Sequence, residues 1–299
     1  MGRLMIITLS SQFPRGMVGL AMKQRTIKRI TGGTVSYDGA GVKLVRVIGY
    51  DDVEDFDPFL MLDAFDSKNP EDYLKGFPWH PHRGIETVTY LISGLIEHGD
   101  SLGNTGLIDD GSCQWMTAGS GIIHQEMPLA SDKMLGTQLW INLPKKDKMT
   151  EPAYHDIRPE QIPVVEEEGV TVRIVSGHYK DTVAPTQGEY VKATYLDVDL
   201  KPGVEWTIDL DNELNVFTYL VYGSAIIDGQ DVPSHRAVLF NSGDQLTIKA
   251  GDEGLRLFLY AGKPLNEPIA WAGPIVMNTS DELRLARQEL MDGTFIKHA

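Results

Sequence analysis

Short segments with a β-type pattern recur along the first half of the chain. Apolar and polar positions alternate from Val42 to Ile48, and the segment from Glu86 to Ile92 is rich in β-branched and aromatic residues. Leu139 to Leu143 predicts another strand, which Pro144 is expected to end. Glycines recur between these segments, as turn residues do between antiparallel strands, at positions 94, 99, 103, 106 and 111. The first half is therefore predicted to be a module of antiparallel strands.

A second series of predicted strands follows a connector of different composition. The connector is charged from Lys145 to Lys148, carries prolines at 152, 159 and 163, and ends in three glutamates at 166–168. The strands predicted after it are Val170 to Val175, Val191 to Leu200, Val216 to Ile227, Ala237 to Phe240, Leu246 to Ala250 and Leu255 to Tyr260. Two β modules of similar size suggest an internal duplication, with domains at 23–150 and 151–299.

One helix is predicted, at the end of the chain. Ser280 is the expected N-cap, and apolar residues recur at helical spacing from Leu283 to Leu290. Gly293 is expected to end the helix, whose role would be packing.

Residues 1–22 are predicted to be a disordered extension. They contain a short apolar stretch that resembles a weak signal peptide, but Pro14, Arg15 and Gly16 follow too soon for a proper apolar core. An upstream start codon would explain the extension, and Met22 would then be the natural beginning.

Composition and charge exclude several classes of protein. The 299 residues carry a formal net charge of -15, so phosphate backbones repel the chain and direct nucleic-acid binding is not expected. Cys113 is the only cysteine, which rules out an intrachain disulfide and favours the cytoplasm. No apolar run reaches the roughly 18 residues of a membrane span, so no membrane association is expected. We also expect a monomer.

Two histidine-containing pairs carry the strongest chemical signal. His80 and His82 are two residues apart, and so are His124 and Glu126. In a strand, residues two apart point to the same side, so each pair presents its side chains together. The segment between the pairs is long enough for two hairpins, which would bring the two strands side by side inside a barrel.

Three imidazoles and one carboxylate form a metal-binding set. Neutral imidazole is a good ligand for first-row transition metals, and three histidines with one glutamate and open positions favour iron. Manganese, copper, nickel and zinc are the alternatives. The other histidines lack partners at ligand spacing and are interpreted as ordinary surface or core residues, at positions 98, 155, 178, 235 and 298.

At these residues the sequence resembles the pirin family of the cupin superfamily. The resemblance extends from about Arg25 to the C-terminus and rests on FPWHPHRGIETVTYLISG, GNTG, QWMTAGSGIIHQEMP, QLWINLP and GPIVMNT. It implies an all-β fold of two cupin (jelly-roll) β-barrel domains that face each other, followed by a C-terminal helix. It also implies one iron in the first barrel, held by residues matching His80, His82, His124 and Glu126, and no metal site in the second barrel.

Glu86 competes with Glu126 for the role of the fourth ligand. In many cupins a carboxylate a few residues after the histidine pair completes the metal site, and parity would put Glu86 on the face of His80 and His82. In pirins the residue matching Glu86 is not a ligand. We therefore assign the ligand role to Glu126 and expect Glu86 to orient a histidine or a bound water.

The resemblance implies two functions of different classes. The first is a dioxygenase of the quercetin 2,3-dioxygenase type, which takes a flavonol and O2 and uses Glu126 to accept the proton of the 3-hydroxyl group. Phe77, Trp79 and Met116 would either line an apolar wall for the planar substrate or belong to the barrel core. The second is an iron-dependent redox-sensing regulator that binds a protein partner without turnover.

Overall fold

Most strands of the first half form two sheets that face each other. The computed structural model describes residues 22–298, so the extension predicted over residues 1–22 lies, except for Met22, outside the described residues. The strands of this half are β1 Ile27–Thr31, β2 Thr34–Asp38, β3 Val42–Ile48, β4 Phe59–Ser67, β5 Phe77–His82, β6 Ile85–Ser93, β7 Ile96–Asp100, β8 Thr105–Ile108, β9 Cys113–Thr117, β10 Ile122–Pro128 and β11 Met134–Asn142. A short helix, α1, spans Val53–Phe56.

The second half is also built from strands, with one helix at its end. Its strands are β12 Ala153–Ile157, β13 Val164–Glu167, β14 Val170–Ser176, β15 His178–Tyr179, β16 Thr182–Val183, β17 Thr194–Leu200, β18 Glu205–Asp209, β19 Asn215–Ile227, β20 Gln230–Pro233, β21 Arg236–Phe240, β22 Gln245–Gly262, β23 Ala270–Ala272 and β24 Ile275–Met277. Helix α2 spans Ser280–Asp292. The all-β prediction is confirmed.

The first barrel has a seven-stranded sheet and a four-stranded sheet. The strand orders are β12-β9-β6-β11-β4-β3-β2 and β5-β10-β7-β8. Apolar side chains of both sheets meet between them, among them Leu44 and Leu91 from the larger sheet and Ile96 from the smaller one. Side chains alternate along β6, so Thr87 and Thr89 face this interior while their neighbours face the other way.

The second barrel is formed by a nine-stranded sheet that also takes a strand from the start of the chain. Its main path is β1-β21-β19-β22-β17-β14-β13, and β1 pairs with β21 in antiparallel register. Conversely, β12 pairs with β9 of the first barrel. Strand pairing therefore crosses residue 150 in both directions, and the domain limits at 23–150 and 151–299 stay predictions.

An aromatic core joins the two barrels. The Phe59 ring lies 5.3 Å from the Phe217 ring, and the Tyr90 ring lies 5.6 Å from the Tyr195 ring. All four side chains are almost completely buried. Burial of this much apolar surface stabilises the face-to-face arrangement of the barrels.

The terminal helix begins one residue earlier than predicted. Thr279, and not Ser280, is the N-cap: its hydroxyl accepts a hydrogen bond from the Glu282 backbone N–H (3.3 Å), and the Glu282 carboxylate accepts one from the Thr279 N–H (2.8 Å). Gly293 ends the helix in the left-handed conformation (φ 69°), as predicted. Ala286 is the residue of the helix that is fully buried, against β24 and Phe295.

Two predicted strands of the second half are one. Leu246 to Ala250 and Leu255 to Tyr260 belong to the single strand β22, whose register with β19 shifts between Ala250 and Leu255. Among residues 22–298, none of the helices is long and apolar enough to cross a membrane.

Candidate metal centre

Three histidines converge where β5 and β10 pair in the smaller sheet of the first barrel. The two strands are antiparallel, and His124 lies opposite His80. The Nε2 atom of His80 is 3.0 Å from Nε2 of His82 and 2.9 Å from Nε2 of His124. One donor atom from each ring lies within 4.8 Å of the others. The three side chains therefore lie together, and their role as metal ligands stays a prediction.

The sequence around the histidines suits an edge strand. β5 lies at the edge of its sheet and contains Pro78 and Pro81, which lack the N–H that a central strand would need. The register between β5 and β10 shifts between His124 and Glu126, so Glu126 lies opposite Phe77. The register is regular from Ile122 to His124, and this places His80 directly opposite His124.

The ring tautomers leave unprotonated nitrogens facing one another. Nδ1 of His80 donates to the Pro78 carbonyl (2.9 Å), and Nδ1 of His82 donates to the Pro274 carbonyl (3.0 Å). Each Nε2 therefore carries a lone pair, and two lone pairs 3.0 Å apart repel each other unless a cation lies between them. Nitrogens about 3.0 Å apart also suit neighbouring ligands that are each about 2.1 Å from one ion.

Burial keeps His82 and His124 in the form that binds metals. Burial, together with the neighbouring His80, lowers the pKa of His82 to about 3. Burial and the adjacent histidines likewise hold the pKa of His124 well below its ordinary value. Since neutral imidazole is the metal-binding form, the three residues fit a first-row transition metal ion. They can hold such an ion.

Glu126 shares the buried face of β10 with His124, but its carboxylate has other partners. Burial alternates along β10, with His124 and Glu126 buried. The side-chain N–H group of Gln138 donates to both carboxylate oxygens at 2.9 Å, and the Thr89 hydroxyl donates to one at 3.2 Å. Within residues 22–298, the group of donor atoms within 4.8 Å comprises the three histidines alone. The role of Glu126 as a fourth ligand stays a prediction.

Gln138 and Trp140 of β11 support the site, although no local sequence pattern predicted either residue. Gln138 lies opposite Thr89 in the sheet, and its side-chain oxygen accepts a hydrogen bond from the Trp140 indole N–H (3.3 Å). The Trp140 ring also packs edge-on against His82, with ring centroids 5.0 Å apart. One tryptophan thus contacts both a histidine of the cluster and the partner of Glu126.

The structure corrects the role expected for Glu86. Gly84 turns the chain (φ 77°) between β5 and β6, so Glu86 does not share a strand with His80 and His82. Glu86 lies on the same face of β6 as Val88, whose side chain packs in the core between the barrels. It accepts a hydrogen bond from the Thr117 hydroxyl (2.7 Å) and orients no histidine among the residues described.

His98 is a core histidine, as the sequence interpretation allowed, but it has a polar partner on its own strand. It is buried on β7, its Nε2 lies 3.2 Å from the Asp100 carboxylate, and its ring centroid is 5.4 Å from that of His124. Asp100 is two residues further along the same strand, so the signal was a His-x-Asp pair at the same spacing as the ligand pairs.

A large cavity opens onto the histidine cluster. Its volume is about 1060 Å³, and His80, His82, Gln138, Trp140 and Trp271 are among its lining residues. Phe77, Trp79 and Met116 were considered for an apolar wall, and of these Phe77 lines this cavity. Trp79 borders a smaller cavity and Met116 is buried in the core.

The second half of the chain completes the site. Trp271 lies 5.8 Å from Trp140 between ring centroids, and the Pro274 carbonyl accepts the His82 hydrogen bond. Arg83 is buried beside the cluster, donates to the Phe295 carbonyl (3.0 Å) and pairs with Glu289 of α2 (2.7 Å). Both barrels therefore contribute to the surroundings of the three histidines.

Two cupin barrels, with a histidine cluster able to bind a metal in the first, define a bicupin protein. The family profile named Pirin matches residues 41–141, and the Pirin C-terminal cupin domain matches residues 195–296. The chain belongs to the pirin family, as the sequence motifs implied.

Relatives and solved structures agree with this assignment. A Pseudomonas aeruginosa protein named "Putative quercetin 2,3-dioxygenase" is 41% identical over 280 residues, which cover 91% of this chain and 98% of that one. Human pirin is 38% identical over 271 residues, covering 87% and 91%. A crystal structure of quercetin 2,3-dioxygenase from Acinetobacter baumannii matches with a TM-score of 0.83 at 29% identity, covering 91% of this chain and 98% of that one.

Proposed function

We propose that this chain is an iron-dependent dioxygenase that opens the central ring of flavonols, of the quercetin 2,3-dioxygenase type. The observation that carries the proposal is the cluster of three imidazoles at the wall of an open cavity of about 1060 Å³. A cavity of this size accommodates a planar ligand of three rings. The names of the Pseudomonas and Acinetobacter proteins support the reaction class.

The metal would be held by His80, His82 and His124, with Glu126 as the proposed fourth ligand. A bound ion supplies Lewis acidity, which lowers the pKa of a hydroxyl group that it contacts, and supplies redox chemistry toward O2. Iron is the proposed metal because three nitrogens, one carboxylate and open positions suit it.

The chain's own residues would bind and orient the flavonol. Trp140 and Trp271 line the cavity beside the cluster and present aromatic surface to a planar ring system. The 3-hydroxyl group and the 4-carbonyl group would face the histidines. The same wall excludes water from one side of the substrate, which strengthens the polar contacts within the site.

Glu126 is the proposed proton acceptor. In the reaction, the 3-hydroxyl proton would pass to a Glu126 carboxylate oxygen, and the electron-rich flavonolate would then react with O2, with ring opening and release of carbon monoxide. Gln138 and Thr89 hold the carboxylate in place through three hydrogen bonds of 2.9 to 3.2 Å. A fixed base beside its target needs no reorganisation when the proton moves.

Turnover of quercetin tests this proposal. Protein loaded with Fe2+ is mixed with quercetin under air, and the loss of flavonol absorbance and the release of carbon monoxide are followed. Glu126→Gln is expected to lower turnover by roughly 10²-fold or more, because the base is lost. Glu97→Gln, at an exposed carboxylate of β7, is the matched control and is expected to match the unaltered protein.

Two results would overturn these assignments. No turnover with iron, manganese, copper, nickel or cobalt would reject the enzyme. Full activity and full metal content in Glu126→Gln would reject the role of Glu126 and leave the rest of the proposal in place.

A second candidate is a regulator whose metal alters a protein-binding surface. It is favoured by the hydrogen bond from His82 to the Pro274 carbonyl and by the ion pair between Arg83 and Glu289, which connect the cluster to the terminal helix. A change of oxidation state at the cluster would act on the C-terminal segment through these contacts. Hydrogen exchange of α2, compared between Fe2+-loaded and Fe3+-loaded protein, tests this candidate, and identical exchange would reject it.

A further inference from the structure

Asp100 fixes the protonation pattern of His98. Both side chains are completely buried. One carboxylate oxygen of Asp100 accepts from the backbone N–H groups of Leu102 (2.9 Å) and Asn104 (3.0 Å), and the other accepts from the Asn104 side-chain amide (2.9 Å). A carboxylate that accepts this many N–H groups stays an acceptor, so the Nε2 atom of His98, 3.2 Å away, must be the donor.

The remaining nitrogen of His98 is an acceptor without a partner. When Nε2 carries the proton of a neutral imidazole, Nδ1 carries a lone pair. Within the described part of the chain, Nδ1 of His98 is buried and forms no hydrogen bond. Leaving such a group unsatisfied in the interior is unfavourable, because it has lost its hydrogen bonds to water and gained none in return.

His124 has the complementary defect. Its Nε2 atom faces His80 in the cluster and must be unprotonated to bind a metal, so its Nδ1 carries the proton. Among residues 22–298, Nδ1 of His124 also has no hydrogen-bond partner and is buried. His124 therefore has an unsatisfied donor, and His98 has an unsatisfied acceptor. The centroids of the two rings are 5.4 Å apart.

The fold holds these two rings beside each other. β7 and β10 are adjacent antiparallel strands, with His98 opposite Glu126 and Asp100 opposite His124. The Tyr154 ring stacks on His98, with centroids 4.5 Å apart and planes inclined by 23°. The Tyr154 hydroxyl is fixed in turn by donating to Asp156 (2.7 Å).

We propose that His98 is a positioning residue for the metal centre: its Nδ1 accepts the Nδ1–H hydrogen bond of His124, directly after a small ring rotation or through one buried water. Asp100, His98 and His124 then form a chain of hydrogen bonds in which each donor has an acceptor. This chain selects the His124 tautomer that leaves Nε2 free and fixes the direction of its lone pair. The inference rests on the proposed metal centre, but not on the proposed reaction.

Binding of Co2+ to the full-length protein tests the proposal. Affinity is measured by competition with a chelator, and the visible absorption of the bound ion reports the ligand arrangement. His98→Leu is expected to lower the affinity by about 10- to 100-fold and to change the absorption bands, because His124 loses its acceptor. His98→Asn keeps an amide oxygen near the position of Nδ1 and is expected to recover most of the affinity.

Further variants separate positioning from a loss of folding. Asp100→Asn removes the charge that keeps the proton on Nε2 of His98 and is expected to lower Co2+ affinity about 10-fold while the protein stays folded. His178→Leu, at an exposed histidine of β15, is the matched control and should leave the affinity unchanged. Circular dichroism reports whether each variant is folded. If His98→Leu does not fold, the Co2+ affinities of Asp100→Asn and His98→Asn decide whether His98 positions His124.

Unchanged Co2+ affinity in folded His98→Leu or Asp100→Asn would overturn the proposal. So would an equal loss in His98→Asn and His98→Leu. Failure of the unaltered protein to bind Co2+ would reject the metal centre itself. Normal Co2+ binding with the expected pattern among the variants, but without quercetin turnover, would reject the proposed reaction and uphold the role of His98.

Discussion

The corrected position of Glu86 predicts that this residue destabilises the protein at neutral and alkaline pH. Glu86 is buried between the barrels, and its second carboxylate oxygen has no hydrogen-bond partner among residues 22–298. Burial raises the pKa of Glu86 from 4.5 to about 7, while the Thr117 hydroxyl partly opposes this shift. The folded protein therefore keeps the proton over a pH range in which the unfolded chain has released it.

The sign and magnitude follow from this difference in pKa. Because the folded state binds more protons than the unfolded state between about pH 4.5 and pH 7, the free energy of unfolding falls as pH rises through that window. The two pKa values differ by about 2.5, which at about 1.4 kcal/mol per pKa unit corresponds to about 3.5 kcal/mol. Glu86→Gln resembles the neutral acid, so the variant should not lose this stability as pH rises. It should have about the stability of the unaltered protein at about pH 4.5 and be about 3.5 kcal/mol more stable at about pH 8.

Urea unfolding at both pH values measures the effect. Glu205→Gln, at an exposed carboxylate of β18, is the control and should show no such difference between the two pH values. The variant at Glu86 should also bind Co2+ as the unaltered protein does, because Glu86 faces away from the barrel interior. A stability difference that does not change with pH would contradict a pKa of Glu86 raised by burial. A loss of Co2+ affinity would contradict the placement of Glu86 on the face of β6 that points away from the histidines.

Three further predictions concern the centre and its supports. Gln138→Leu removes the N–H group that donates to the Glu126 carboxylate and should lower Co2+ affinity by about 10-fold in a chelator competition. Gln125→Leu, on the other face of β10, is the control and should leave the affinity unchanged. Equal affinities in the two variants would contradict the role of Gln138. Arg83→Met leaves Glu289 and two carbonyl groups without their partner, so it should lower the free energy of unfolding in urea by about 3 kcal/mol. A change below about 1 kcal/mol would argue against a stabilising role for the contacts of Arg83. Removing the metal with a chelator should lower the melting temperature, since a ligand at about 100 times its Kd stabilises by about 2.7 kcal/mol, and an unchanged melting curve would count against a metal that binds the folded state.

The histidine cluster could be predicted from the sequence because each pair lies within one strand. The two-residue period brings His80 and His82 to one side of β5, and the pairing of β5 with β10 adds His124. The same rule failed for Glu86, since the turn at Gly84 separates it from the histidines and restarts the alternation in β6. The two-residue alternation of side chains can be followed within one strand but not across a turn.

Other features depend on contacts that no local pattern encodes. Gln138 reaches Glu126 from another sheet, and the Pro274 carbonyl reaches His82 from 192 residues away. The pairing of β1 with the second barrel is equally distant in sequence. The His98 and Asp100 pair is different, because its spacing was visible in the sequence and its hydrogen-bonding role was overlooked.

An X-ray diffraction experiment on crystals grown with Fe2+, with data collected at the iron absorption edge, tests the metal centre most directly. A single anomalous peak is expected, bounded by the Nε2 atoms of His80, His82 and His124, and it should be lost in His124→Ala. A peak elsewhere in the cavity, or full iron content in His124→Ala, would contradict it.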